Sequence, residues 1–149
     1  MHRFILAIVA VLVLSISPLS PTQAADPQPQ VVKEFKVYPI GYVRKADGRT
    51  TIVLDKKYEP ALLGVDKLSE IWVFWWFDRN DTPEKRSILQ VHPRGNPDNP
   101  IRGVFATHSP VRPNLIAMTR CKVLSVKENV IEIESIDAFA DTPVLDIKS

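Results

Sequence analysis

The chain has 149 residues, 45% hydrophobic and 24% charged, with 19 basic and 17 acidic side chains and one cysteine. That composition fits a single globular domain and excludes fibrous, low-complexity and disordered chains. Near-neutrality also argues against a general nucleic-acid binder, which needs a concentrated basic surface to displace counterions, and a lone Cys121 excludes an internal disulfide.

The first 25 residues read as a separate unit. Met1-His2-Arg3 gives a short positive start, residues 4–14 form an unbroken apolar run, and Thr22-Gln23-Ala24-Ala25 ends it with small residues suited to cleavage. This is the three-part plan of a secretory signal peptide. An anchor needs roughly 18 to 20 apolar residues to cross a bilayer, and a buried core helix would normally carry a polar face. The reading is therefore an exported, periplasmic or secreted protein with no stable membrane insertion once the leader is cleaved, the alternative being a cytoplasmic protein whose translation starts downstream at a non-Met codon. Removing Arg3 with the leader leaves 18 basic and 17 acidic residues on 124, a formal charge of +1.

Residues 26–34, with Pro27 and Pro29, read as a polar tether. Strand candidates follow at 35–43 and 50–54, joined by Ala46-Asp47-Gly48-Arg49, where Asp-Gly is a hairpin signal. Over 56–68, Pro60 suits a first helical turn, and Ala61, Leu62, Val65 and Leu68 have helical spacing. The apolar run Ile71-Trp72-Val73-Phe74-Trp75-Trp76-Phe77 predicts a strand buried on both faces. Turn residues dominate 78–103 around one candidate strand at 87–91. Strands resume at 103–107, 116–126, 130–136 and 143–148, with Lys127-Glu128-Asn129 as a second tight connection. Seven or eight short strands and one short helix favour an antiparallel closed or nearly closed sheet over an α/β fold. In the last strand, alternation predicts Val144, Asp146 and Lys148 on one face and Leu145 and Ile147 on the other.

Chemistry concentrates in residues 105–116, where Pro110 and Pro113 stiffen a connection carrying His108, Ser109, Arg112 and Asn114. Two readings stand side by side. One is a ligand loop in which Arg112 forks a carboxylate or other anion; the other is a connection whose polar groups cap its own turns. His92 and His108 lack Cys or acidic partners at ligand spacing, so no metal site is indicated. Trp72, Trp75 and Trp76 read as core, Lys85, Arg86, Arg94 and Arg102 as either a phosphate rim or a solvated face, and Cys121 as a small buried hydrophobe.

Pro39-Ile40-Gly41, the Leu62-Leu63-Gly64 lead into residues 71–77, the Gly103-Val104-Phe105-Ala106-Thr107-His108-Ser109-Pro110-Val111-Arg112-Pro113-Asn114 segment and Thr142-Pro143-Val144-Leu145-Asp146-Ile147-Lys148 occur in that order. Together they resemble the TsaA-like family, also called the TrmO or VirR type, over essentially all of residues 37–148. The resemblance implies a mainly β chain, a single-sheet antiparallel β-barrel with one or two short helices over residues 35–149. It also implies a homodimer that binds S-adenosylmethionine and methylates N6 of threonylcarbamoyladenosine at position 37 of tRNA. The donor site it implies is built from Phe105, Thr107, His108, Ser109, Arg112, Asn114 and Ile116 with Thr142, Pro143, Leu145, Asp146 and Lys148. It names no catalytic residue, and Asp146 is the carboxylate placed to position an amine or the sulfonium. The chain departs from the family pattern at His108 for Arg, at Leu115 and Ala117 for Pro and Gly, at Ala140 and Asp141 for Asp-Gly, and at Ser149 after Lys148. A cytoplasmic substrate sits uneasily with an export leader, so an exported small-molecule-binding barrel without methyl transfer is the competing expectation.

Overall fold

A computed structural model describes residues 34–149; the leader and all but the last residue of the tether lie outside the described residues. Six antiparallel strands close a barrel in the order β1-β2-β7-β6-β3-β8. These are β1 (Gly41–Ala46), β2 (Arg49–Leu54), β3 (Glu70–Trp76), β6 (Ile116–Lys127), β7 (Val130–Ile133) and β8 (Pro143–Lys148). A two-stranded ribbon, β4 (Gln90–Val91) with β5 (Arg102–Gly103), stands apart from the barrel sheet. The only α-helix among the described residues is the four-residue α1 (Pro83–Arg86); the other helical pieces are 3₁₀ turns.

Closure follows from alternation. Val43, Ile52, Ile71, Val73, Ile131, Ile133 and Val144 point inward and are at most 1% exposed, and each such burial contributes about 1.5–3 kcal/mol. The Asp-Gly hairpin forms as expected: Asp47 and Gly48 both take positive φ (51° and 73°), the conformation that two-residue turns joining twisted strands require. Glu128-Asn129 closes the second hairpin, with Lys127 paired to Val130.

Several expectations are corrected. Strand β1 begins at Gly41 rather than at 35, because Pro39 cannot donate to a ladder and Phe35, Val37 and Tyr38 are exposed rather than turned into the barrel. The helix over 56–68 is two 3₁₀ turns, Lys56–Leu62 and Val65–Lys67, broken where Gly64 turns left-handed (φ 87°). Strand β3 is not buried on both faces: Ile71, Val73 and Trp75 face the interior, while Trp72, Phe74 and Trp76 lie on the outside of the barrel. The strand expected at 103–107 is two residues of β5 followed by a 3₁₀ turn, Val104–Ala106. In β8 the alternation breaks at Leu145. Phe74 pairs with Asp146 but Trp75 pairs with Val144, so Leu145 is a bulge residue. Val144 therefore turns inward, away from Asp146 and Lys148, which are exposed.

Candidate functional site

One end of the barrel is formed by the ends of β1 and β3, the start of β6 and the 134–142 connection into β8. Two adjoining cavities of about 290 and 350 Å³ open there, within the usual size range for small-molecule clefts when taken together. Both are lined by Trp75, Phe77, His108 and Asp137. The smaller lobe adds Phe105, Thr107, Arg112 and Ile116. The larger adds Lys45, Arg79, Phe139 and Thr142 among others.

The loop over 104–115 forms one wall and is built by local chemistry. Val104 (1% exposed) and Leu115 (0%) anchor its two ends in the interior. Between them Thr107 Oγ1 donates to Val104 O at 3.0 Å and accepts from Ser109 N at 3.2 Å, and Ser109 Oγ accepts from Val111 N at 3.4 Å. The far end is tied down from α1, whose Thr82 side chain caps Lys85 N and whose Pro83 opens the first turn. Arg86 Nη1 donates to Pro113 O and Arg86 Nε to Asp81 Oδ1, both at 2.8 Å, while Trp76 Nε1 donates to Asp81 Oδ2 at 3.1 Å. These bonds hold the Asp81 carboxyl below its usual range, the Arg86 bond most and the Trp76 bond next.

With Thr107 and Ser109 committed to the loop's own turns, Arg112 keeps a spare fork. Its guanidinium is half-buried, makes one long bond to Thr107 O (3.5 Å), and has no acidic partner among the described residues. Across the site Lys45 Nζ donates to Ile136 O at 3.1 Å, fixing the backbone beside Asp137. Arg79 lies 3.9 Å over the exposed Phe139 ring, a cation stacked on an aromatic platform. Trp75 is 6% exposed, meets Phe77 edge-on at 4.7 Å and donates its Nε1–H to Thr119 Oγ1 at 3.0 Å. It is a core residue whose face also lines the site.

Of the residues expected from the sequence, Phe105, Thr107, His108, Arg112, Ile116 and Thr142 come together here. Ser109 works within the loop, and Asn114 is exposed, its carbonyl accepting from Ile116 N. Pro143 is paired with Tyr42 in the barrel wall, and Leu145 is the bulge. Asp146 and Lys148 line a different cleft of about 770 Å³ at the opposite end. Along β8, at about 3.3 Å per residue, Asp146 lies about 13 Å and Lys148 about 20 Å from Thr142. Arg79, Asp137 and Phe139 gave no signal in the sequence, and Phe77 read only as the end of an apolar strand, because the closing of the barrel carries them to the site.

Residues 30–149 match the tRNA-methyltransferase O N-terminal domain. A probable S-adenosyl-L-methionine-binding protein of Methanocaldococcus jannaschii is 44% identical over 114 residues, which cover 76% of this chain and 90% of that protein. The tRNA (adenine(37)-N6)-methyltransferase of Homo sapiens is 38% identical over 90 residues, covering 60% of this chain and 20% of that enzyme. Crystal structures of TrmO superpose on 78% of this chain: one with a TM-score of 0.60 at 27% identity, and that from Pseudomonas aeruginosa with 0.59 at 25%. The barrel is thus that of a class whose members include S-adenosyl-L-methionine-binding proteins. The chain belongs to the TrmO family, as the order of its motifs implied, and it spans 57% and 55% of the two TrmO chains compared.

Proposed function

We propose that this protein is an S-adenosylmethionine-dependent methyltransferase acting on N6 of a modified adenosine at tRNA position 37. The observation that carries the reading is the two-lobed cavity into which the family's central motif delivers Arg112 without an acidic partner. The donor set fits the methyl donor chemically. Arg112 offers a fork for the amino-acid carboxylate, the exposed Phe105 and Phe139 rings offer stacking surfaces for adenine, and Asp137 offers a negative charge to the sulfonium. The donor, when bound, supplies an activated methyl group that needs neither metal nor protein nucleophile. The chain's own task is positioning: the Arg86 clamp holds the loop, Trp75 and Phe77 exclude water, and the proline-stiffened backbone limits the entropy lost on binding. The test is transfer of labelled methyl from S-adenosylmethionine to bulk tRNA, and absence of transfer with intact donor binding contradicts it.

Two sequence features favour a second reading, an exported binding barrel without transfer: the leader-like pattern of residues 1–25, and His108 at the family's Arg position, where the bidentate guanidinium fork is missing. Reverting His108→Arg, Leu115→Pro, Ala117→Gly, Ala140→Asp and Asp141→Gly together separates the two, since activity that appears only in the revertant favours the binding barrel. N-terminal sequencing from the native host tests export and cleavage.

A homodimer is part of the proposal. Trp72, Phe74, Trp76, Ile116 and Met118 form an outward stripe across β3 and β6, and Ile116 and Met118 also line the smaller lobe. Arg120, Lys148 and Arg86 lie over the rings of Trp72, Phe74 and Trp76, and each is ion-paired to Glu70, Asp146 or Asp81. An aromatic stripe with balanced charge suits a second copy better than a polyanion. Light scattering of Trp72→Glu against the parent tests it, with loss of the dimer expected.

A further inference from the structure

The two lobes meet at Trp75, Phe77, His108 and Asp137, and of these only His108 and Asp137 can carry charge or a proton. Asp137 is held there by its neighbours. Ile136 (5% exposed) and Ala138 (7%) are anchored in the interior, and the Ile136 carbonyl accepts from Lys45 Nζ, which leaves the intervening side chain directed outward into the junction. Its carboxylate is exposed and makes no hydrogen bond or ion pair among the described residues. The other carboxylates near the site differ: Asp78 lines only the larger lobe, Asp81 is bonded to Arg86 and Trp76, Asp141 is paired with Arg44, and Asp146 is paired with Lys148 and lines the separate cleft.

Resting on the methyltransferase reading above, we infer that Asp137 is a catalytic residue that faces the sulfonium and receives the acceptor's proton. With donor and acceptor in adjoining lobes, the reacting groups meet where the lobes join. The acceptor nitrogen's lone pair forms the new N–CH₃ bond. The C–S bond breaks with its electron pair left on sulfur, which becomes a neutral thioether, and the N–H proton passes to the Asp137 carboxylate and then to water. The titratable groups that line the two lobes with Asp137 are Lys45 from β1, Asp78 and Arg79 from the turn after β3, and His108 and Arg112 from the loop.

The test uses the full chain and two ligands that differ by one methyl and one charge, S-adenosylmethionine and its demethylated thioether, S-adenosylhomocysteine. By calorimetry the parent should prefer the sulfonium over the thioether, and Asp137→Asn should abolish that preference while keeping thioether affinity and melting temperature. In the labelled-methyl assay on bulk tRNA, Asp137→Asn should lower kcat by about 10²-fold or more, with partial recovery in Asp137→Glu. An Asp137→Asn variant with parental turnover, or with an unchanged ligand preference, overturns the role of Asp137 and leaves the methyltransferase reading intact. A parent that binds donor yet transfers nothing overturns both.

Discussion

At the scale of single residues, Gly41 is the position least able to change. It opens β1 between two partners, Leu54 on one side and Val144 on the other, and a Cβ there would lie 2.7 Å from the Leu54 Cα. Backbone cannot move aside without breaking the ladder, so Gly41→Ala should cost about 1–3 kcal/mol, read as a lowered Tm. Asp141 is the opposite case. It stands where the family has Gly and keeps a left-handed φ of 67°, tolerated because a short carboxylate side chain is among the few that visit this region. Its ion pair with Arg44 is exposed and worth little. Asp141→Gly should therefore leave stability within about 0.5 kcal/mol, so this departure does not weaken the fold. Cys121 is buried (2% exposed), and burial pushes its thiol up to about 11. The native protein at pH 8 should not react with a thiol reagent until denaturant exposes that sulfur.

At the scale of elements, the Arg86–Asp81–Trp76 clamp decides how firmly the ligand loop is held. Because the folded state lowers the Asp81 carboxyl, its stabilisation is complete above the ordinary carboxylate range near pH 4. It is lost as pH falls through the lowered value, when the protonated acid releases Arg86. Tryptophan fluorescence should change below about pH 4, and Asp81→Asn should remove that change. Elements of this kind show what was legible in the sequence. The Asp47-Gly48 hairpin, five of the six barrel strands and the proline-stiffened loop each announce themselves through local residue types, whereas β1 starts six residues later than its residue types suggest. The Leu145 bulge does not, since a one-residue slip depends on pairing with β3 and leaves no mark on β8 itself. Nor does the outward aromatic face of β3, because an apolar run reads the same whether a neighbouring sheet or another molecule covers it. The site divides along the same line: Arg112 and His108 were legible from their loop, whereas Asp137 reaches the junction only because the barrel closes.

At the scale of the whole molecule, family membership fixes the barrel and its ligand class, while the proposed leader and the altered motif positions bear on what is done with that ligand. The C-terminal motif does not act as one unit. Thr142 lines the cavity, whereas Asp146 and Lys148 border a separate cleft. Donor binding should therefore be insensitive to Asp146→Asn and sensitive to Arg112→Ala. The most direct measurement is calorimetric titration of S-adenosylmethionine into the parent and into Arg112→Ala. Saturable binding to the parent, weakened about tenfold or more in the variant through loss of charge-assisted hydrogen bonds, is the expected result. No heat and no thermal shift at millimolar donor, or equal affinity in both proteins, would contradict it.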